Sequence, residues 1–223
     1  MKDMISPMEN TVYFLPNSDA RQSQIYFYIP MGDYNREENV RREAFNQYIS
    51  GGFSGLIMNE IREKNSMAYT AYGFASSRGL PGAQTYFSGY IGTQNDKAVD
   101  AIDLYMKLLT DMPERPGRID NIKSYLRQSA LTDHPDSRNL SLRIAEWKRR
   151  GYTDDPAKEE LPLIDSLTFP DIVDYYQKNI KGKPIIIGVL GNPKDISIDA
   201  LKKFGKVIRL NEKKLFNEKD TMF

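Results

Sequence analysis

The 223-residue chain contains no cysteine, so disulfide cross-links and thiolate chemistry are both excluded. It holds a single histidine, His134, in Thr132-Asp133-His134-Pro135-Asp136, where the following proline marks a turn residue rather than a metal ligand. Zinc sites are built from several imidazole, thiolate or carboxylate ligands. Serine-type nucleophilic catalysis needs a base beside the nucleophile. The sequence offers neither. An excess of one charge is also lacking, since 31 Lys+Arg stand against 30 Asp+Glu for a net charge of +1. Nothing in that balance draws the chain to nucleic acid or to an anionic membrane surface. Long apolar runs are missing too. The longest, Ile185 to Leu190, has the length of a strand and falls far short of a membrane helix. The first residues, Met1 to Met8, lack the apolar core of a signal peptide. Two expectations stay open on these grounds: a chain soluble as it stands, or a piece of a longer precursor. Cytoplasm and cell envelope suit it equally.

What is present is ordinary globular material. Hydrophobic residues make up 40% and charged residues 27%, enough to bury one substantial core in a chain of this length. The expected boundaries are residues 1–10 as a linker or added N-terminus, 11–210 as the folded domain, and 211–223 as a charged tail. Gln24 to Ile29 alternates, with Ile25, Phe27 and Ile29 on one face and Gln24, Tyr26 and Tyr28 on the other. Thr85, Phe87 and Ile91 likewise oppose Tyr86, Ser88 and Tyr90, after a hairpin connection at Arg78 to Gly82. Helical spacing predicts helices carrying Val40 to Ile49, Ala98 to Leu109, Ile119 to Leu126 and Leu140 to Trp147, the second capped by Asn95 or Asp96. Gly151 to Pro162 reads as an acidic loop, and Thr168 with Asp171 as a capping box opening a further helix. Both faces of Ile185 to Leu190 are apolar, which predicts a central strand. Strands arriving as hairpins with helices clustered between them give an α+β class: an antiparallel-rich mixed sheet with helices on one face. The other face is then left with Tyr26, Tyr28, Tyr86 and Tyr90, residues suited to wet, amphipathic contact.

The densest information lies between Gly51 and Thr70. Phe53, Leu56, Ile57 and Ile61 recur at helical spacing, Glu63-Lys64-Asn65-Ser66 supplies turn chemistry, and a strand pattern begins at Met67. Arg62 and Tyr69 thus bracket one tight turn, where two long hydrogen-bond donors can converge on a single polar ligand. Gly51-Gly52-Phe53-Ser54-Gly55 is not a phosphate loop, since it follows a helix and lacks the Lys-Ser/Thr pair. Its glycines are expected to end the preceding helix.

Gly51-Gly52, Ser54, Leu56, Ile61-Arg62-Glu63-Lys64 and Ala68-Tyr69 together resemble the pitrilysin/insulinase family of zinc metallopeptidases, in its zinc-lacking C-terminal, substrate-binding domain. The resemblance runs from about Gln22 to Leu210 and takes in the Lys183-Pro184 strand entry. Gly55 stands where the family often has Arg, and Ser66-Met67 where Gly-Leu is common. The resemblance implies that the Tyr69 hydroxyl donates to the scissile carbonyl, that Arg62 anchors substrate backbone, and that Tyr26, Tyr28, Tyr86 and Tyr90 line a peptide-holding chamber. It implies no cofactor in this chain, because His-x-x-Glu-His is missing, and zinc in a partner half of the same polypeptide or a separate subunit. The expected partners are that half and a peptide, with no nucleic acid and no membrane insertion. The chain alone is expected to be inactive. The rival expectation is a structural or scaffold homologue, such as the family-related core subunits of respiratory complexes, which would have no need of Arg62 or Tyr69.

Overall fold

The computed structural model describes residues 6–133 and 135–211; the expectations placed on His134, on the first five residues, on the tail past Asn211 and on the Phe53 side chain lie outside it. The chain opens with strands β1 (Thr11–Pro16) and β2 (Gln22–Asp33), then helix α1 (Asn39–Ser50). A short 3₁₀ turn at Gly52–Ser54 leads to a π-helix, Met58–Lys64, followed by β3 (Thr70–Ser76) and β4 (Gln84–Gln94). Five helices come next: α2 (Ala98–Thr110), α3 (Ile119–Thr132), α4 (Leu140–Arg149), α5 (Pro156–Ser166) and α6 (Phe169–Asn179). β5 (Ile186–Gly191), the single turn α7 (Ile198–Leu201) and β6 (Lys206–Arg209) complete the described residues.

The six strands form one sheet in the order β3-β4-β2-β5-β1-β6. β3, β4, β2 and β5 run antiparallel to one another, while β1 pairs in parallel with β5 and with β6. The sheet is therefore mixed and the class α+β, with β5 central between β2 and β1 as its two apolar faces require. The alternation holds residue by residue. Ile25, Phe27 and Ile29 of β2 and Phe87 and Ile91 of β4 are buried with Ala71 and Ala75 of β3, on the face that carries the helices. Phe45 and Tyr48 of α1, Ile102 and Tyr105 of α2, and Ile172 and Tyr175 of α6 complete that core.

One row of this face explains how closely α2 approaches the sheet. Phe27, Gly89 and Gly73 sit directly across from one another on β2, β4 and β3. The fully buried ring of Tyr105 stacks on Phe27, with centroids 4.0 Å apart and planes 6° from parallel. Its hydroxyl reaches past both glycines to the Tyr72 carbonyl at 2.9 Å. Burial pushes the phenol well above its ordinary titration range, so it stays a neutral donor. A Cβ on Gly89 would collide with the Tyr105 hydroxyl, and one on Gly73 would lie 2.6 Å from the Phe87 ring and 2.9 Å from Ile57.

Two local expectations are corrected. Residues within the expected acidic loop 151–162 form much of α5: Asp155 accepts from the Ala157 N–H at 2.9 Å, and Pro156 takes the first helical position. Pro162 sits inside this helix despite losing a hydrogen bond there. Burial of Ile164 and packing on α3, including Arg127–Asp165 at 2.5 Å, hold the helix together. Asn95, expected as a cap, instead turns its side chain inward. It accepts from Ser23 at 2.8 Å and from the Asn192 N–H at 3.2 Å, and donates to the Ala20 carbonyl at 2.8 Å. The Thr168–Asp171 capping box forms as expected.

Gly89→Ala should lower stability by about 1–3 kcal/mol, the usual cost of overpacking a filled core. Gly117→Ala, with open space at its Cβ, should stay within about 0.5 kcal/mol. Urea unfolding of the two variants checks this. Equal stabilities would show that the Tyr105 seat is looser than described.

Candidate functional site

The backbone between Leu56 and Tyr69 departs from the amphipathic α-helix that the spacing predicts. Leu56, Ile57 and Ile61 are fully buried as expected, but from Met58 the turns widen into a π-helix. Such wide turns recur at functional sites because they re-aim the side chains that follow. Here Arg62, Glu63 and Lys64 turn outward while Ile61 stays in the core. The helix is closed by Ser66 N–H to the Arg62 carbonyl at 3.0 Å and Met67 N–H to the Ile61 carbonyl at 2.9 Å. Ser66 adopts φ +50°, the sole non-glycine with positive φ among the described residues. A serine held there carries a strain of roughly 1–2 kcal/mol that glycine would not.

Ion pairing fixes the outer surface of the π-helix. The Glu60 carboxylate accepts from Lys64 Nζ at 2.9 Å and from the Arg115 guanidinium, which also reaches Asn59 at 3.4 Å. The Glu60 side chain is only 15% exposed. Burial pushes its carboxyl upward, but the two cations outweigh that effect and hold it below the ordinary value of 4.5.

Strand β4 outruns β3 and pins the turn that leads to Tyr69. Tyr69 N–H donates to the Gly92 carbonyl at 2.9 Å, the Thr93 hydroxyl donates to the Met67 carbonyl, and Lys97 Nζ reaches the Ser66 carbonyl at 3.3 Å. The Tyr69 hydroxyl accepts from Gln94 Nε2 at 3.0 Å. Arg62 and Tyr69 line the same cleft of about 360 Å³, together with Ser66, Gln94 and Lys97. Tyr69 is 52% exposed. The Arg62 side chain is 44% exposed and, among the described residues, is held by a 3.7 Å ion pair with Glu63 and a 4.0 Å contact to the Met58 sulfur. Both groups can therefore reach a ligand without first breaking a strong internal bond.

The four tyrosines Tyr26, Tyr28, Tyr86 and Tyr90 all lie on the sheet face opposite the helices. Rings meet in two pairs, Tyr26–Tyr90 at 5.1 Å and Tyr28–Tyr86 at 5.7 Å. Tyr72 and Phe74 extend the same face, with Tyr72 5.3 Å from Tyr90 and 5.9 Å from Phe74. The alternation of Thr70, Tyr72 and Phe74 along β3 is the sequence signal that marks those two. Gln94 and Lys97 carried no comparable signal, because only strand pairing brings them to the cleft. No group of three or more His, Asp or Glu could hold a metal ion among the described residues, so the side chains present do not fit a zinc centre.

The sequence matches the family described as the peptidase M16 inactive domain over residues 6–117, half of the chain. No curated protein sequence matches it. Among solved structures, the chain is similar to a peptidase M16 inactive domain from Pseudomonas fluorescens, with a TM-score of 0.69, 15% identity, and 86% of this chain and 46% of that one covered. It is similar to the periplasmic protease PqqL from Escherichia coli, with a TM-score of 0.64, 15% identity, and coverage of 83% and 21%. A chain of complex III from Candida albicans gives a TM-score of 0.63, 14% identity, and coverage of 86% and 48%. The chain spans less than half the length of each.

Stability tied to a lowered carboxyl is present above the unfolded value and is lost as the pH falls through the folded one. Wild type should therefore be more stable than Glu60→Gln near neutrality, and the gap should narrow as the pH falls below the ordinary value of 4.5. Urea midpoints measured across that range test the ion cluster. Parallel profiles would contradict it.

Proposed function

The chain belongs to the peptidase M16 inactive-domain family, and from that premise we propose that it is the non-zinc half of a pitrilysin/insulinase-type metalloendopeptidase. In this reading it closes over a peptide held by a zinc-bearing half of the same polypeptide or by a separate subunit. The single observation that carries the reading is the shared cleft of Arg62 and Tyr69, two under-committed donors at the end of one sheet. The zinc would reside in the partner half, since the side chains of the described residues do not fit it, and activation of the attacking water would be that half's task.

The contribution of this chain is electrostatic and geometric. The Tyr69 hydroxyl donates to the scissile carbonyl oxygen as negative charge grows on it. A neutral donor already in place stabilises that charge without reorganising. The Arg62 guanidinium binds substrate backbone beside the reacting bond and fixes its approach. Tyr26, Tyr28, Tyr86 and Tyr90, with Tyr72 and Phe74, offer the peptide a broad aromatic wall.

In the assembled enzyme, Tyr69→Phe should lower kcat by about 10²–10³, the usual cost of losing one oxyanion donor. KM should change little, because the bond strengthens as the transition state forms. Arg62→Ala should impair both constants. Steady-state kinetics on a quenched fluorescent peptide reads the contrast. Wild-type turnover by both variants, in a complex shown to be assembled, would favour the scaffold reading instead.

A further inference from the structure

We infer that Gln94 is a positioning residue that makes Tyr69 a one-way hydrogen-bond donor toward the cleft. Four bonds tie the end of β4 and the start of α2 to the turn before β3, and three of them end on backbone atoms. These are the bonds from Tyr69 N–H to Gly92, from Thr93 to Met67 and from Lys97 to Ser66. They hold the turn whether or not Gln94 is present. The fourth runs from Gln94 Nε2 to the Tyr69 hydroxyl oxygen at 3.0 Å, in an exposed setting. An exposed neutral bond of this kind adds little to stability, so its effect falls on the hydroxyl itself.

A phenol has one proton to give and lone pairs to accept with. The Gln94 amide occupies the accepting side. Among the described residues no acceptor takes the Tyr69 proton, which leaves it free to be donated to a ligand in the cleft. A bond donated to a hydroxyl oxygen also polarises the O–H and strengthens the bond that it donates in turn. Glutamate at position 94 would invert this arrangement. Nearly isosteric with glutamine, its carboxylate only accepts, and it would draw the Tyr69 proton away from substrate.

The inference rests on Tyr69 acting as a donor to substrate, and the test separates the two claims. In the assembled enzyme acting on a quenched fluorescent peptide, Gln94→Glu should lower kcat by about 10²-fold, approaching Tyr69→Phe, with KM little changed. Gln94→Leu should fall between wild type and Gln94→Glu. The double variant Tyr69→Phe/Gln94→Glu should be no slower than Tyr69→Phe alone, because both changes remove the same bond. In the isolated chain with ¹³C-labelled tyrosine rings, the Tyr69 resonance, identified by its loss in Tyr69→Phe, should shift in both Gln94 variants. Wild-type kcat for Gln94→Glu, multiplicative losses in the double variant, or an unmoved Tyr69 resonance would each overturn the inference. A shifted resonance combined with full turnover by Tyr69→Phe would overturn the functional reading, and the role of Gln94 with it, while leaving the contact standing.

Discussion

Gly73 is where three parts of the molecule compete for the same space, and the close approach that it permits governs the rest. From one side Tyr105 of α2 crosses the sheet over Gly89 and Gly73 to bond the Tyr72 carbonyl. From another, Ile57 presses toward the same Cα just before the π-helix begins. Without side chains on these two glycines, α2 and the segment that leads into the π-helix can both lie directly on β3. The buried Tyr105 hydroxyl would be costly without a partner, so its bond to a strand carbonyl fixes the register of helix against sheet. α1 secures the same strand from its outer edge. Ser50 accepts from the Gly73 N–H at 2.8 Å, and Asn46 pairs with both backbone groups of Ala75, at 2.7 and 3.0 Å. An edge strand covered in this way is protected from pairing with other chains.

That arrangement connects the two faces of the sheet. The row Phe27–Gly89–Gly73, filled by Tyr105, lies beside the row Tyr26–Tyr90–Tyr72, whose rings stand on the opposite face. Period-two alternation therefore places the tightest packing of the core and the aromatic wall on the same three strands. Arg62 and Tyr69 belong to the segment that enters this edge, so their placement inherits the rigidity of the Tyr105 seat. The polar side chains around them remain loosely committed. A rigid base carrying exposed donors is the combination that positioning chemistry needs.

The sheet was legible from residues because each strand obeys simple alternation: Ile25, Phe27 and Ile29 inward, Tyr26 and Tyr28 outward. The central place of β5 followed from its two apolar faces. α5 was hidden by Pro162, whose local cost outweighs any helical signal until the packing of Ile164 and the Asp165 pair with α3 is known. Asn95 misled for a related reason, since a capping residue type was used instead as a buried hub for Ser23 and Asn192, partners 72 and 97 residues distant. In the site, Arg62 and Tyr69 stood out by spacing and family resemblance. The π-helix and the left-handed Ser66 did not, because widening a turn changes the phase of side chains without changing their order. Gln94 was invisible for lack of any local pattern; it meets Tyr69 across 25 residues only when β3 and β4 pair.

A composite active site makes a demand that a scaffold does not. In the proposed reading this chain has donors to place and steady, and among the described residues no side-chain group is suited to holding a metal. The most direct test is turnover of a quenched fluorescent peptide by the purified chain, by the purified zinc-bearing half, and by the two together. The account predicts background rates for each alone and chelator-sensitive cleavage on mixing. Chelator-sensitive cleavage by this chain alone, or no cleavage by a mixture shown to be assembled, would contradict it.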